Sequence, residues 1–196
     1  MARRPFARFG ARLLSIFLLA GCARDAASPL EPTVAVPEKP NAGLLGLGGL
    51  LPVRGVLRNQ PLSKDYTVKE VIDKKGGTIT IPEAGLTLVV PAGAVAKKTE
   101  FKVTALQGRL VAYEFEPHGV RFDKPLQFTQ DLKKVTLLNA LLSPLMDGAY
   151  FTDEGKLDQK AGRAFVSELL PATIDLLKFR VTFPIKHFSG YLVSWH

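Results

Sequence analysis

Apolar residues recur at every second position over short stretches framed by Gly and Pro. In Gly76-Gly77-Thr78-Ile79-Thr80-Ile81-Pro82-Glu83-Ala84-Gly85-Leu86-Thr87-Leu88-Val89-Val90-Pro91, Ile79 and Ile81 share one face of a first run, and Leu86, Leu88 and Val90 share one face of a second. Side chains of a strand point alternately to opposite faces, so this spacing predicts two half-buried strands. The Pro82-Glu83-Ala84-Gly85 between them is turn chemistry and makes the pair antiparallel. Glu100 to Gln107 repeats the pattern with Phe101, Val103 and Ala105, and Leu110 to Phe115 predicts a further strand ending at Glu116-Pro117. The rhythm is lost from Asp131 to Gly162, where Val135 to Pro144 predicts a helical turn stopped by Pro144 and Met146 to Gly155 a strand and turn. Short apolar runs resume at 163–170, 172–178 and 179–186, and in the last of them Phe179, Val181, Phe183 and Ile185 fall on one face. Many short strands without intervening helices predict an all-β fold, an antiparallel β-sandwich.

The first third of the chain lacks this alternation. Arg3, Arg4, Arg8 and Arg12 precede an apolar stretch, Leu13 to Ala20, that is too short to cross a bilayer, and residues 1–21 are expected to be a signal peptide for export. Leu19-Ala20-Gly21-Cys22 resembles the bacterial lipobox, which implies cleavage just before Cys22 and a diacylglycerol unit on its thiol. Cys22 is the only cysteine, so an intramolecular disulfide is impossible. Residues 22–63 hold Pro29, Pro32, Pro37, Pro40, Pro52 and Pro61 among small residues and are expected to form a flexible, disordered Pro-rich tether. Its apolar stretch 42–51 is too rich in glycine for a stable helix and too short to span a membrane. The folded domain is then expected over 64–196. Ala23 and Arg24 after Cys22 lack the Asp of enteric inner-membrane lipoproteins, so the expected location is the bacterial cell envelope, at the outer membrane where there are two.

Three motifs, in order, carry a family resemblance. They are Gly76-Gly77 through Val90-Pro91-Ala92-Gly93-Ala94, then Pro117-His118-Gly119-Val120-Arg121-Phe122-Asp123-Lys124-Pro125-Leu126, and finally Ile185-Lys186-His187-Phe188-Ser189-Gly190-Tyr191. Together they make 76–195 similar to the ZU5 domain of zonula occludens proteins, netrin receptors and ankyrins. The resemblance implies a β-sandwich with Phe122 in its core and Pro125 at the start of a strand. It also implies a module for protein contacts. In some members the His-Phe-Ser tripeptide cuts its own backbone. Here Ser189 Oγ would attack the Phe188 carbonyl, His187 or another base would take the proton, and water would hydrolyse the ester. The competing reading has Phe188 packed in the core and His187 and Ser189 satisfying a kink before the last strand.

Charge and chemistry narrow the function further. The formal charge is +8, from 26 Lys and Arg against 18 Asp and Glu, but loss of a signal carrying four Arg and no acid leaves +4. Lys74-Lys75, Lys97-Lys98 and Lys133-Lys134 are isolated pairs without interleaved aromatics, which argues against a nucleic-acid track. His118, in a turn, has no second His or Cys at ligand spacing, His187 lies in the tripeptide, and His196 is terminal. Asp147, Asp153, Glu154 and Asp158 match no calcium loop, and no Gly-X-Ser-X-Gly or dinucleotide motif occurs. No metal, cofactor or enzymatic activity is therefore expected. The expected function is an exported protein, held to the membrane by lipid on Cys22, that presents a non-enzymatic binding or structural module to an envelope protein or surface glycan. Two rivals stand beside it: a self-processing domain cutting Phe188–Ser189, and a carbohydrate-binding module using Tyr150, Phe151, Tyr191 and Trp195.

Overall fold

A computed structural model describes residues 49–136 and 146–195, which fall in one compact unit. The signal segment with Cys22, most of the Gly/Leu stretch, residues 137–144 of the expected helical turn, and His196 lie outside the described residues. The strands are β1 (Leu51–Gly55), β2 (Leu57–Leu62), β3 (Tyr66–Ile72), β4 (Gly77–Ile81), β5 (Leu86–Val90), β6 (Thr99–Ala105), β7 (Gly108–Leu110) and β8 (Ala112–Glu116). They continue as β9 (Arg121–Asp131), β10 (Met146–Phe151), β11 (Leu157–Asp158), β12 (Arg163–Val166), β13 (Glu168–Pro171), β14 (Thr173–Asp175), β15 (Arg180–His187) and β16 (Gly190–Trp195).

Among the described residues, nine strands build one sheet, in the order β11-β12-β1-β16-β8-β6-β3, with β10 also paired to β16 and β13 paired to β10. Five build a second, β14-β15-β9-β5-β4, and β2 with β7 forms a ribbon of two. All the pairings are antiparallel, as expected for consecutive short strands joined by Gly- and Pro-bearing turns. The described residues thus form an all-β sandwich.

Alternation decides what each sheet buries. Ile79, Ile81, Leu86, Leu88, Val90, Phe128, Val181, Phe183 and Ile185 of the smaller sheet meet Phe101, Val103, Tyr113, Phe115, Tyr191 and Val193 of the larger one in a common core. A second cluster, including Val53, Ala112, Ala149, Phe151, Ala164, Val166 and Leu192, lies on the opposite face of the larger sheet. β16 is therefore buried on both faces: Tyr191 and Val193 enter one cluster and Leu192 the other. This explains why its Gly190-Tyr191-Leu192-Val193 run does not alternate with polar residues. The Gly76-Gly77 opening is also accounted for. Gly76 has φ +77, and a Cβ there would run into the Val90 carbonyl and the Pro91–Ala92 backbone.

The structure corrects several expectations. The tether was expected to run to residue 63 and the domain to start at 64, yet β1 and β2 belong to the fold. β1 pairs with β12 and β16, Val53 and Val56 are buried, and Val56 N donates to Val193 O at 2.8 Å. The Pro and Gly of 49–62 concealed this: Pro52 sits exposed and Gly55 packs against Leu110 and Leu192, where a side chain would not fit.

The single strand expected over Leu110–Phe115 is split at Val111, where the chain passes from the β2–β7 ribbon to the large sheet. Pro125 does not start a strand but lies within β9, in the irregular stretch where Leu126 pairs with Ile185 and Arg121 with His187, so its missing N–H breaks no regular ladder. Phe122 is half-buried and packs against the core. Phe179 leaves the face of Val181, Phe183 and Ile185: it sits at φ +51 in the β14–β15 turn, 40% exposed. A 3-10 turn occupies Leu132–Lys134, capped by Asp131, whereas Val135 is already extended and bridged to Arg58.

Candidate functional site

His187-Phe188-Ser189 is the crossover from the smaller sheet to the larger one, since β15 ends at His187 and β16 begins at Gly190. Phe188 is 1% exposed and its ring lies 4.6 Å from Phe101, 4.8 Å from Phe122 and 5.5 Å from Phe115. Its backbone is held by the loop after β8: Phe188 N donates to Val120 O at 2.9 Å, and Gly119 N donates to Phe188 O at 3.2 Å. The middle and last motifs of the sequence thus meet here.

The polar side chains of the tripeptide point to different partners. Ser189 Oγ, buried, donates to Phe151 O at 3.4 Å. His187 is half-buried, with Nδ1 3.1 Å from the Tyr191 hydroxyl and its ring edge-on to Tyr150 at 4.9 Å. Tyr191 Oη donates to His187 O at 2.7 Å, and burial pushes that phenol well above its ordinary range, so it stays protonated. The carbonyl that Ser189 Oγ meets cannot take its proton, and among the described residues the His187 imidazole hydrogen-bonds Tyr191 rather than Ser189. Among the described residues, the Phe188 carbonyl accepts from the backbone N–H of Gly119.

A second buried constellation escaped the sequence reading. Tyr113 Oη lies 2.5 Å from Gln130 Oε1 and 3.0 Å from Ala84 O, Gln130 Nε2 donates to Ala84 O at 2.9 Å, and the Arg58 guanidinium lies over the Tyr113 ring at 5.4 Å. Arg58 is 1% exposed and donates through Nη1 to Leu110 O. Burial lowers the Arg58 pKa and pushes the Tyr113 phenol to about 12. The group ties β2 and β8 to the Pro82–Gly85 turn of the opposite sheet, a fastening of the sandwich end rather than an acid–base pair. Gln130 follows the buried face of β9, and that alternation was the one signal available in the sequence.

The family comparison falls on the strands that carry this framework. The ZU5 domain family model matches residues 68–113, from within β3 to the start of β8. The chain carries a ZU5-like domain. No curated protein matches the chain. The match contains the Gly76–Ala94 opening, whereas the other two motifs lie beyond its end at Tyr113.

The remaining candidates are spread over the sandwich beyond the matched residues. His118 is exposed in the β8–β9 turn, and among the described residues no group of three or more His, Cys, Asp and Glu could hold a metal ion. Asp158 accepts from the backbone of Lys160 and Ala161, and Asp153 from the Thr152 hydroxyl. Phe151 and Tyr191 are buried, and Tyr150 and Trp195 are half-buried. Intact mass under denaturing conditions is expected to show an uncut Phe188–Ser189 bond, because Ser189 Oγ is bonded to the Phe151 carbonyl, which cannot take its proton. A species lighter by the eight residues Ser189–His196, about 0.9 kDa at ordinary residue masses, that disappears in Ser189→Ala would overturn this.

Proposed function

We propose that this protein is an exported, lipid-anchored component of the bacterial cell envelope whose ZU5-like domain is a non-enzymatic module for binding another protein. ZU5 domains are typically non-catalytic and mediate protein–protein contacts. The observation that carries the reading is the family match over 68–113, seated in an antiparallel sandwich that extends well past it. The placement at the membrane comes from Leu19-Ala20-Gly21-Cys22 behind an Arg-rich start and a short apolar core.

Fractionation tests the anchoring. The wild-type chain is expected in the membrane fraction and Cys22→Ser in the soluble one, since several acyl chains hold a protein firmly where one holds it marginally. A Cys22→Ser chain that partitions as wild type does would remove the lipid from the proposal. Crosslinking in intact cells followed by purification of the tagged chain tests the binding role, with a recurrent envelope protein as the expected product.

A further inference from the structure

The hairpin joining β14 to β15 ends in Asp175-Leu176-Leu177-Lys178-Phe179-Arg180. Leu177 is 96% exposed, Leu176 54% and Phe179 40%, so three large apolar side chains project together from a turn, where polar residues are the rule. The projection is organised. Phe179 adopts φ +51, which a bulky L-residue takes only when its surroundings hold it there. Leu132 N donates to Phe179 O at 2.7 Å, and Lys133 Nζ stands over the ring at 5.9 Å. This turn breaks the alternation that would have sent the ring inward with Val181.

Cations flank the apolar tip on its groove side. Lys133, Lys178 and Arg180 line a single groove beside it, and Lys134 follows in the same 3-10 turn. The facing acids are Asp131, which shares the groove, and Asp175. Asp131 caps Lys133 N at 2.9 Å; Asp175 caps Lys178 N at 3.0 Å and reaches Lys178 Nζ at 3.6 Å. Among the described residues no carboxylate lies within ion-pair reach of Lys133, Lys134 or Arg180.

The geometry points to a membrane-docking tip: Leu176, Leu177 and Phe179 enter the interface of an anionic phospholipid bilayer while Lys133, Lys134, Lys178 and Arg180 meet its headgroups. A bilayer accepts a convex projection without a matching pocket. A specific protein interface, by contrast, buries about 1,200–2,000 Å², well beyond three side chains at a turn. Shallow apolar insertion and attraction to anionic lipid are each weak and act together, and an anchor elsewhere on the chain would raise the effective concentration of the tip at the surface. The tip does not depend on lipid at Cys22, so the two can fail separately.

The test uses the full chain with Cys22→Ser, Trp195→Phe and Leu177→Trp, which leaves one tryptophan, at the tip. It is mixed with vesicles of phosphatidylcholine alone or with phosphatidylglycerol. A blue shift and quenching by brominated acyl chains are expected on the anionic vesicles. Added salt should weaken them, and Lys133→Glu with Lys178→Glu should cut the apparent affinity at least about tenfold. No shift on either vesicle overturns the proposal, and so does an equal, salt-insensitive shift on both. If Trp195→Phe disturbs folding, Trp195 is kept and the difference spectrum between the Leu177→Trp chain and its parent gives the same reading.

Discussion

A chain beginning at Ser63 is expected to lose cooperative unfolding, whereas one beginning at Gly49 keeps it. The missing strands are structural. β1 closes the gap between β12 and the end of β16, with Arg54 and Gly55 paired to Trp195 and Ser194. Without it Val53 leaves the second cluster, and β12 and part of β16 become unpaired apolar edges. Loss of the link to β2 removes Val56, whose N–H and C=O bond Val193 O and Val111 N, and loss of β2 removes Arg58 from the Leu110 carbonyl and the Tyr113 ring. Each large apolar side chain taken from a core is worth about 1.5–3 kcal/mol and each net hydrogen bond about 1, against about 5–15 kcal/mol for a whole domain. Thermal melts by circular dichroism, with a hydrophobic dye reporting exposed surface, check this. A Ser63 chain that melts as sharply and as high as the Gly49 chain would show β1 and β2 to be accessory.

Phe188→Ala is expected to destabilise the domain by about 3–5 kcal/mol, a loss of about 10 °C or more in melting temperature. The ring sits between Phe101, Phe115 and Phe122, and both backbone groups of the residue bond the loop at Gly119 and Val120, so a cavity there loosens the crossover on which β16 depends. Ser189→Ala removes one long bond to Phe151 O and is expected to cost about 1 kcal/mol or less. The contrast separates a structural tripeptide from a reactive one. If Phe188→Ala melted like wild type, the aromatic cluster would not be the centre of the fold.

The fold class and much of the core were legible along the chain, because strand alternation is local and each face shows in the spacing. Ile79, Ile81, Leu86, Leu88, Val90, Phe101, Val103 and Phe188 are all buried, and the opening motif that suggested the family lies inside the residues the family model matches. Local pattern was not enough where a residue's role is set by a distant partner. β1 and β2 hold Pro52, Gly55, Arg58 and Pro61 and read as linker; only pairing with β12, β16 and β7 makes them strands. Arg58 lies in the stretch that reads as tether, yet Leu110, 52 positions away, and Tyr113 give it a buried place. Phe179 had the spacing of a core residue, and the tertiary bond from Leu132 N turned it outward. The tripeptide named its residues, but which carbonyl Ser189 meets was decided by β10, because hydrogen-bond geometry belongs to the packed strands and not to the three residues alone.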